Sequence, residues 1–348
     1  ITLQREGSEE PTYKLVLYAT ATNFAGSEES TYYIKLTHAV TITGGTGAWK
    51  ALKEEAAKSS GPSTIVINGE IKATSVDNSG QIDIGRDLTI KGNDGNAVLD
   101  ANCAATSQNH RIFNVDSGKK LTLETLTLQN GYVVGSGGSG GGIFVNSGAT
   151  LTMTGVTIKD CSFQSGTNGT KGGGIYSSGT VTMQDSTIQN CSAQEGGGVF
   201  VSIRGNGAET AFNMKGGTIS GNTAAKGKGV YLQDATGGAS GIGDFTMGGS
   251  SVVGTWTNGE LTDGNDVYLS YTDNILALGC IRIDSGNPLT SGKAACITPE
   301  QYGAGDGYTA IRMSDGSNVG AHVSKFTVTP KGTENWTINE QGQLEKLP

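Results

Sequence analysis

The chain has 348 residues, of which 56 are glycine, 6% are aromatic and 16% are charged. Its net charge is −8, from 24 basic and 32 acidic residues, and no segment gathers Lys or Arg. Release of counterions from phosphates needs such a basic footprint, so nucleic acid is excluded as a partner, and no run of 18 apolar residues is present to span a membrane as a helix.

Glycine stands at about twice its usual share of roughly 7%, without the three-residue period of collagen. With few charges and few aromatics, the polar surface has to be built from Ser, Thr, Asn and Gln, which suits an extracellular β-protein. The chain opens at Ile1, without Met and without a charged-then-apolar leader, and reads as a processed piece of a longer protein. Residues 12–36 read as two strands joined by Asn23-Phe24-Ala25-Gly26, and residues 1–37 as the end of a preceding β-sandwich-like module. Residues 38–60 carry the helical pattern of the chain: Trp49, Leu52 and Ala56 share a face, with Thr46 as the expected N-cap. Standing before the break Ser60-Gly61-Pro62 and the strand Thr64-Ile65-Val66-Ile67, this helix is positioned to cap the first strands of a β-domain.

Residues 61–274 repeat. A β-branched residue followed by an aromatic one occurs at Ile112-Phe113, Ile143-Phe144, Ile175-Tyr176, Val199-Phe200, Val230-Tyr231 and Val267-Tyr268, at spacings of 31, 32, 24, 31 and 37. In phase with these pairs run Leu121-Thr122-Leu123, Leu151-Thr152-Met153, Val181-Thr182-Met183 and Phe212-Asn213-Met214, in which apolar residues alternate with a polar one. A second short strand comes next in each copy, as in Val156-Thr157-Ile158. Then come a Gly-rich loop of variable length and a third strand, as in Gly174-Ile175-Tyr176. Three short strands per copy and a period near 30 describe one coil of a solenoid, each strand pairing with its own copy about 4.8 Å away. The expected fold is therefore all-β: a right-handed parallel β-helix with an N-terminal capping helix. Residues 275–348 keep strand signals but lose the repeat, and read as irregular final coils and a C-terminal cap. Cys161 and Cys191 fall at one repeat position and should stack as small buried residues, whereas Cys280 and Cys296 are candidates for a disulfide. No cysteine or histidine spacing suits zinc, and no metal or cofactor is expected.

Gly172-Gly173-Gly174-Ile175, Gly196-Gly197-Gly198-Val199 and Ile219-Ser220-Gly221-Asn222 resemble the repeat motifs of the polymorphic outer-membrane-protein family of bacterial surface proteins, over roughly residues 80–270. The resemblance implies a β-helix passenger, of autotransporter type, displayed on the cell surface in an adhesive role. Two features depart from the family: Ile stands where its motif has Phe, and the chain ends in Gln-Leu-Glu-Lys-Leu-Pro without the family's barrel.

Few residues point to catalysis. Gly137-Gly138-Ser139-Gly140-Gly141 satisfies a nucleophile-elbow pattern and Gly135–Gly140 a dinucleotide pattern, but both lie in one glycine tract without the strand-turn-helix context they require. Asp263-Gly264-Asn265-Asp266 resembles a single calcium-repeat unit and reads as a turn. A polysaccharide lyase or hydrolase of β-helix fold is the enzymatic alternative, yet no acidic pair recurs at neighbouring repeat positions. Of His38, His110 and His322 only His110 lies among the repeats, where it reads as a solvated turn residue. Alternation instead directs Phe144, Tyr176, Phe200 and Tyr231 outward as a ladder. In one reading it covers Gly142, Gly174, Gly198 and Gly229 on the same face and stiffens the coils; in the other it offers a flat apolar stripe to sugars or a partner. The expectation is a non-catalytic, secreted or surface-displayed bacterial protein. It would act in adhesion, in binding host or cell-surface glycans or proteins, or as a spacer.

Overall fold

The computed structural model describes residues 39–74, 80–103, 109–135, 139–164, 169–202, 210–233, 244–270, 279–302 and 308–348, together with the backbone of three strands nearer the start. Those strands, Leu3–Glu6, Thr12–Leu17 and Ser30–Lys35, form an antiparallel sheet. The expected loop Asn23–Gly26 lies outside the described residues.

From Ala39 onward the chain is a parallel β-helix. Within a coil it passes through a first strand such as Thr150–Thr154, a second such as Thr157–Lys159 and a third such as Ile175–Ser177. Stacking of coils turns these into three parallel sheets of ten, seven and nine strands. Among the described residues no helix is long and apolar enough to cross a membrane.

The alternation read from the sequence is what fills the interior. Leu121, Leu151, Val181, Phe212, Phe245, Ile281 and Ile311 stand in register in the first sheet, and two residues along each strand stand Leu123, Met153, Met183, Met214, Met247, Ile283 and Met313. All fourteen are buried, and the Phe212 and Phe245 rings stack at 5.1 Å. Each such side chain contributes roughly 1.5–3 kcal/mol by leaving water. The coils corner through left-handed residues: Thr125, Gly155 and Asp185 after the first strand, then Asn130, Asp160, Asn190 and Gly221 after the second. Asn, Asp and Gly enter that region with the least steric cost, which is why short polar residues and glycine punctuate each copy.

At the N-terminal end the helix is Ala48–Ala57, with Trp49, Leu52 and Ala56 fully buried as their spacing predicts. Thr46 is not its cap: Gly47, at φ 80°, stands at that position and no side chain caps the helix start. The opposite end is closed by a residue the pattern did not suggest. The Arg86 guanidinium donates to the carbonyls of Glu55 (2.7 Å), Lys58 (2.8 Å) and Pro62 (3.0 Å), binding the last turn of the helix to the coil beneath it. Parallel pairing begins before the helix, because Ala39–Thr43 pairs with Thr64–Asn68. It also persists past the last repeat in Ile281–Ile283, Ala295–Pro299, Ile311–Met313 and Phe326–Val328. The antiparallel hairpin Trp336–Ile338 with Leu344–Lys346 closes the far end, where Ala310 and Ile311 donate their amides to Gly342 and Leu344 donates to Tyr308. Helix and hairpin pack at the two ends of the solenoid, while Ala39–Thr43 and Phe326–Val328 remain the terminal strands of their sheets.

Two further expectations change. Phe113 pairs with Ile143, not with Phe144, and is buried in the core; Asn114 stands at the ladder position. The Ile112-Phe113 pair is thus one residue out of phase with the other five. Cys280 and Cys296 are both free thiols, as are Cys103, Cys161 and Cys191, and all five are buried.

Replacing Met183 by Asp sets an unpartnered charge between two coils and should cost about 3–5 kcal/mol, read as a lowered denaturation midpoint, while Thr182→Asp on the outer face of the same strand should shift it little. Because every thiol is buried, a thiol-specific chromogenic reagent should titrate none of the five cysteines in the native protein and all five after unfolding without reductant; three would indicate a bridge.

Candidate functional site

The third sheet carries two opposite surfaces on three-residue strands. Inward go Ile143, Ile175, Val199, Val230 and Val267; outward, in register, go Phe144, Tyr176, Phe200, Tyr231 and Tyr268. Strand spacing near 4.8 Å places successive rings at stacking distance. Their centroids are 5.0, 5.5, 4.9 and 5.0 Å apart, with interplanar angles of 7°, 6°, 11° and 17°. The column is capped at one end by Asp83 and Asn114 and at the other by Thr298.

The rings form a second apolar cluster, separate from the solenoid core, but they do not form an open stripe. Phe200 has 0% exposure, Tyr176 4%, and Tyr231 and Tyr268 7% each; Phe144 is half-buried. Cations lie over them: Arg111 is 5.2 Å from the Phe144 ring centre, Lys171 4.8 Å from Phe200 and Lys226 5.1 Å from Tyr268. Lys171, Glu195 and Lys226 occupy equivalent positions in successive coils, and Lys171 pairs with Glu195 (3.9 Å) while Lys226 pairs with Glu300 (2.8 Å). A rail of alternating charge therefore runs along the ladder. Its signal was present in the sequence as a charged residue directly before three of the glycine motifs, in Lys171-Gly172, Glu195-Gly196 and Lys226-Gly227.

The glycines do not serve the rings. A Cβ on Gly174 would lie 2.9 Å from the Ile188 side chain and 3.3 Å from the Cys191 sulfur, and one on Gly142 would meet Cys161 and Ile158. Their bare faces are turned to the core, where the chain bends tightly enough that only hydrogen fits. The adjoining Cys161 and Cys191 thiols stack as expected, each donating to a carbonyl at 3.3 Å (Lys159 and Gln189), and the neighbouring Cys191 thiol, with burial, holds Cys161 well above the usual thiol range.

The electrostatics of the rail keep it paired. The hydrogen bond from Lys226 to Glu300 pushes the ammonium up, and burial pushes the Tyr268 phenol up to about 12 and the Tyr231 phenol upward too. Asp266, beside this end of the ladder, is raised by burial, although the Lys228 amide donates to it at 2.7 Å.

Other sequence candidates disperse. His110 is buried rather than solvated: its ring centre lies 5.7 Å from that of Trp49, Nδ1 is 2.9 Å from the Arg111 carbonyl, and burial lowers its basicity. His322 lies far along the chain in the short 3-10 helix Gly320–Lys325, and His38, Gly137 and Gly138 lie outside the described residues. The Asp263 carboxylate accepts from the Gly221 amide (2.8 Å), the Thr255 hydroxyl (3.0 Å) and the Asn265 amide (3.0 Å), with Gly264 at φ 67°. The segment is a turn that locks onto the neighbouring coil. Among the described residues no three His, Cys, Asp or Glu side chains converge as metal ligands.

The fold and the ladder define the class: a parallel β-helix protein with an aromatic stack laid along one outer face. Residues 74–222 are similar to a protein family described as a domain of unknown function, DUF4957. The match takes in the Phe144, Tyr176 and Phe200 rungs and ends before Tyr231. No curated protein and no solved structure matches the chain.

Phe200→Ala opens a cavity in the middle of the stack and should cost about 3–5 kcal/mol, the range for deleting a buried aromatic ring, measured by denaturant titration. A phenol pKa raised from 10.0 to about 12 favours the folded state below pH 10, and that contribution is lost as pH rises from 10 to about 12. The melting temperature should accordingly fall across that window, and Tyr268→Phe should flatten part of the fall.

Proposed function

We propose that this chain is a non-catalytic β-helix of a secreted or surface-displayed bacterial protein, acting in adhesion, in binding cell-surface glycans or proteins, or as a rigid spacer. The repeat motifs resembling polymorphic outer-membrane proteins support the cell-surface setting. The observation that carries the non-catalytic reading is the closed ladder. The rings are stacked and covered, and the rail carboxylates beside them are each spent on a lysine. Hydrolysis of a glycosidic bond needs two carboxyls facing one another across roughly 5–9.5 Å of substrate space, and elimination from a uronate needs a free base beside a free cation. Along the rail the carboxylates of Glu195 and Glu300 are held by lysines, and Asp83 and Asp116, at the first end of the ladder, both accept from the Asn114 amide.

In this reading Phe144, Tyr176, Phe200 and Tyr231 stiffen the rod from outside, as the core columns do from inside. Contacts with a partner then come from the margins of the solenoid; Phe144, the half-buried terminal rung, is the most exposed ring of the ladder. The double variant Tyr176→Ala with Phe200→Ala should lower the melting temperature while leaving attachment to cells or immobilised glycans unchanged once corrected for folded fraction. Attachment lost at full stability would restore the stripe as the binding surface. Release of unsaturated uronates or reducing ends from polysaccharides by the purified protein would move the assignment to an enzyme.

A further inference from the structure

One coil departs from the others at a corner where the chain elsewhere turns in three residues. Ile219 and Asn222 are three apart, whereas their counterparts in the next coil, Val253 and Asn265, are twelve apart. The counterparts are still fixed in place: Val253 pairs with Ile219, and the Asn222 and Asn265 amides hydrogen-bond to one another at 3.1 Å while buried. The extra residues form a hairpin, Trp256–Thr257 with Glu260–Leu261, closed by Asn258 and Gly259 at φ 52° and 85°. Two central residues of positive φ, Asn then Gly, make the tight turn whose twist matches paired strands. Its base is tied down as well, since the Thr262 amide donates to the Thr255 carbonyl at 2.8 Å and the Thr255 hydroxyl to Asp263 at 3.0 Å.

This inserted hairpin borders an open, shallow cleft of about 650 Å³ on the outer surface of the second sheet. The floor is Thr218 and Val252, and the far wall is Ser291, Gly292 and Lys293 from the next coil. Trp256 lines it half-buried, its indole N–H donated to the Val253 carbonyl at 3.1 Å, which fixes the ring and leaves no polar group of the indole unsatisfied. The Lys293 ammonium donates to the Ser324 carbonyl at 2.9 Å and has no carboxylate partner among the described residues. Lys325, which donates to the Ser291 carbonyl behind the same wall, likewise has none. Lys293 is thus the charged side chain that lines the cleft, with Lys325 behind its wall and Glu260 and Asp263 on the inserted segment.

We propose that this cleft is a binding subsite for an acidic saccharide unit, with the pyranose ring laid on the Trp256 indole, its carboxylate taken by Lys293, and the Thr218 hydroxyl available to a sugar hydroxyl. A fixed indole supplies the apolar face that a sugar ring stacks on, and the ammonium with spare donors selects an anionic unit over a neutral one. The assignment rests on the binding role proposed above and locates it on an inserted element at one corner of the solenoid, where repeat proteins place such insertions.

The test is calorimetric titration and tryptophan fluorescence of the whole chain with oligogalacturonate, oligoalginate and hyaluronan oligosaccharides, against neutral galacto- and cello-oligosaccharides. At least one uronate series should bind and perturb the fluorescence, with neutral sugars at least tenfold weaker. Trp256→Ala should weaken that binding at least tenfold and Lys293→Met should erase the preference for the acidic sugar, both with unchanged melting curves because the hairpin lies outside the core. No uronate binding, or binding equally strong in Trp256→Ala, would overturn the subsite while leaving the rod and its adhesive role untouched. Uronate binding that needs Trp256 alongside unaltered cell attachment in Trp256→Ala would uphold the subsite and separate it from adhesion.

Discussion

Every coil of this protein must seat its strands in register on the coil before it. Parallel pairing with a period of two admits no partial error, because a slip of one residue exchanges the buried and the solvent-facing sides of a strand. Here the register is held at the same time by three sheets, by columns of like side chains and by left-handed corner residues. Like placed on like is favourable in each setting: methionine fills against methionine in the core, phenylalanine stacks on phenylalanine, and buried asparagine amides hydrogen-bond to one another. The remaining features of the molecule come from keeping that register for the length of the rod.

The aromatic ladder is best understood as part of this constraint. Its rings cannot enter the interior, which is filled by Ile175 and its counterparts on the opposite side of the same strands. Stacked outside and roofed by lysines, they form a second apolar column parallel to the first, so each three-residue strand is packed on both sides. The rail of Lys171, Glu195, Lys226 and Glu300 then does two things. It covers the rings, and it neutralises its own charges in pairs.

Ends and corners carry whatever the register leaves over. The N-terminal coil is covered by a helix whose terminal carbonyls are taken up by Arg86, and the last strands are met by an antiparallel hairpin. The corners can lengthen without disturbing the sheets, as the insertion between Val253 and Asn265 demonstrates: the paired residues on either side of it remain in place. Variation that would ruin a strand is tolerated there, and that is where distinct binding chemistry can be added to a repetitive scaffold.

The β-helix, its inward columns and the burial of Trp49, Leu52 and Ala56 were legible in residue order, because they depend on periodicity, and periodicity is a local property of the chain. The placing of Cys161 above Cys191 was legible too, since repeat position alone decides it. The effects of neighbours across coils emerged with the fold. Phe113 was displaced inward by the register of Ile143, and His110 was buried beneath the helix rather than solvated. The glycine faces were turned to the core, Arg86 was drawn to a helix end some thirty residues earlier in the chain, and the aromatic stripe was covered. The insertion at Trp256 was partly legible, through Asn258-Gly259 and the longest of the repeat spacings. Its cleft was not, because the opposite wall comes from Ser291 to Lys293 in the following coil, and no spacing along the chain records which segments a solenoid brings side by side.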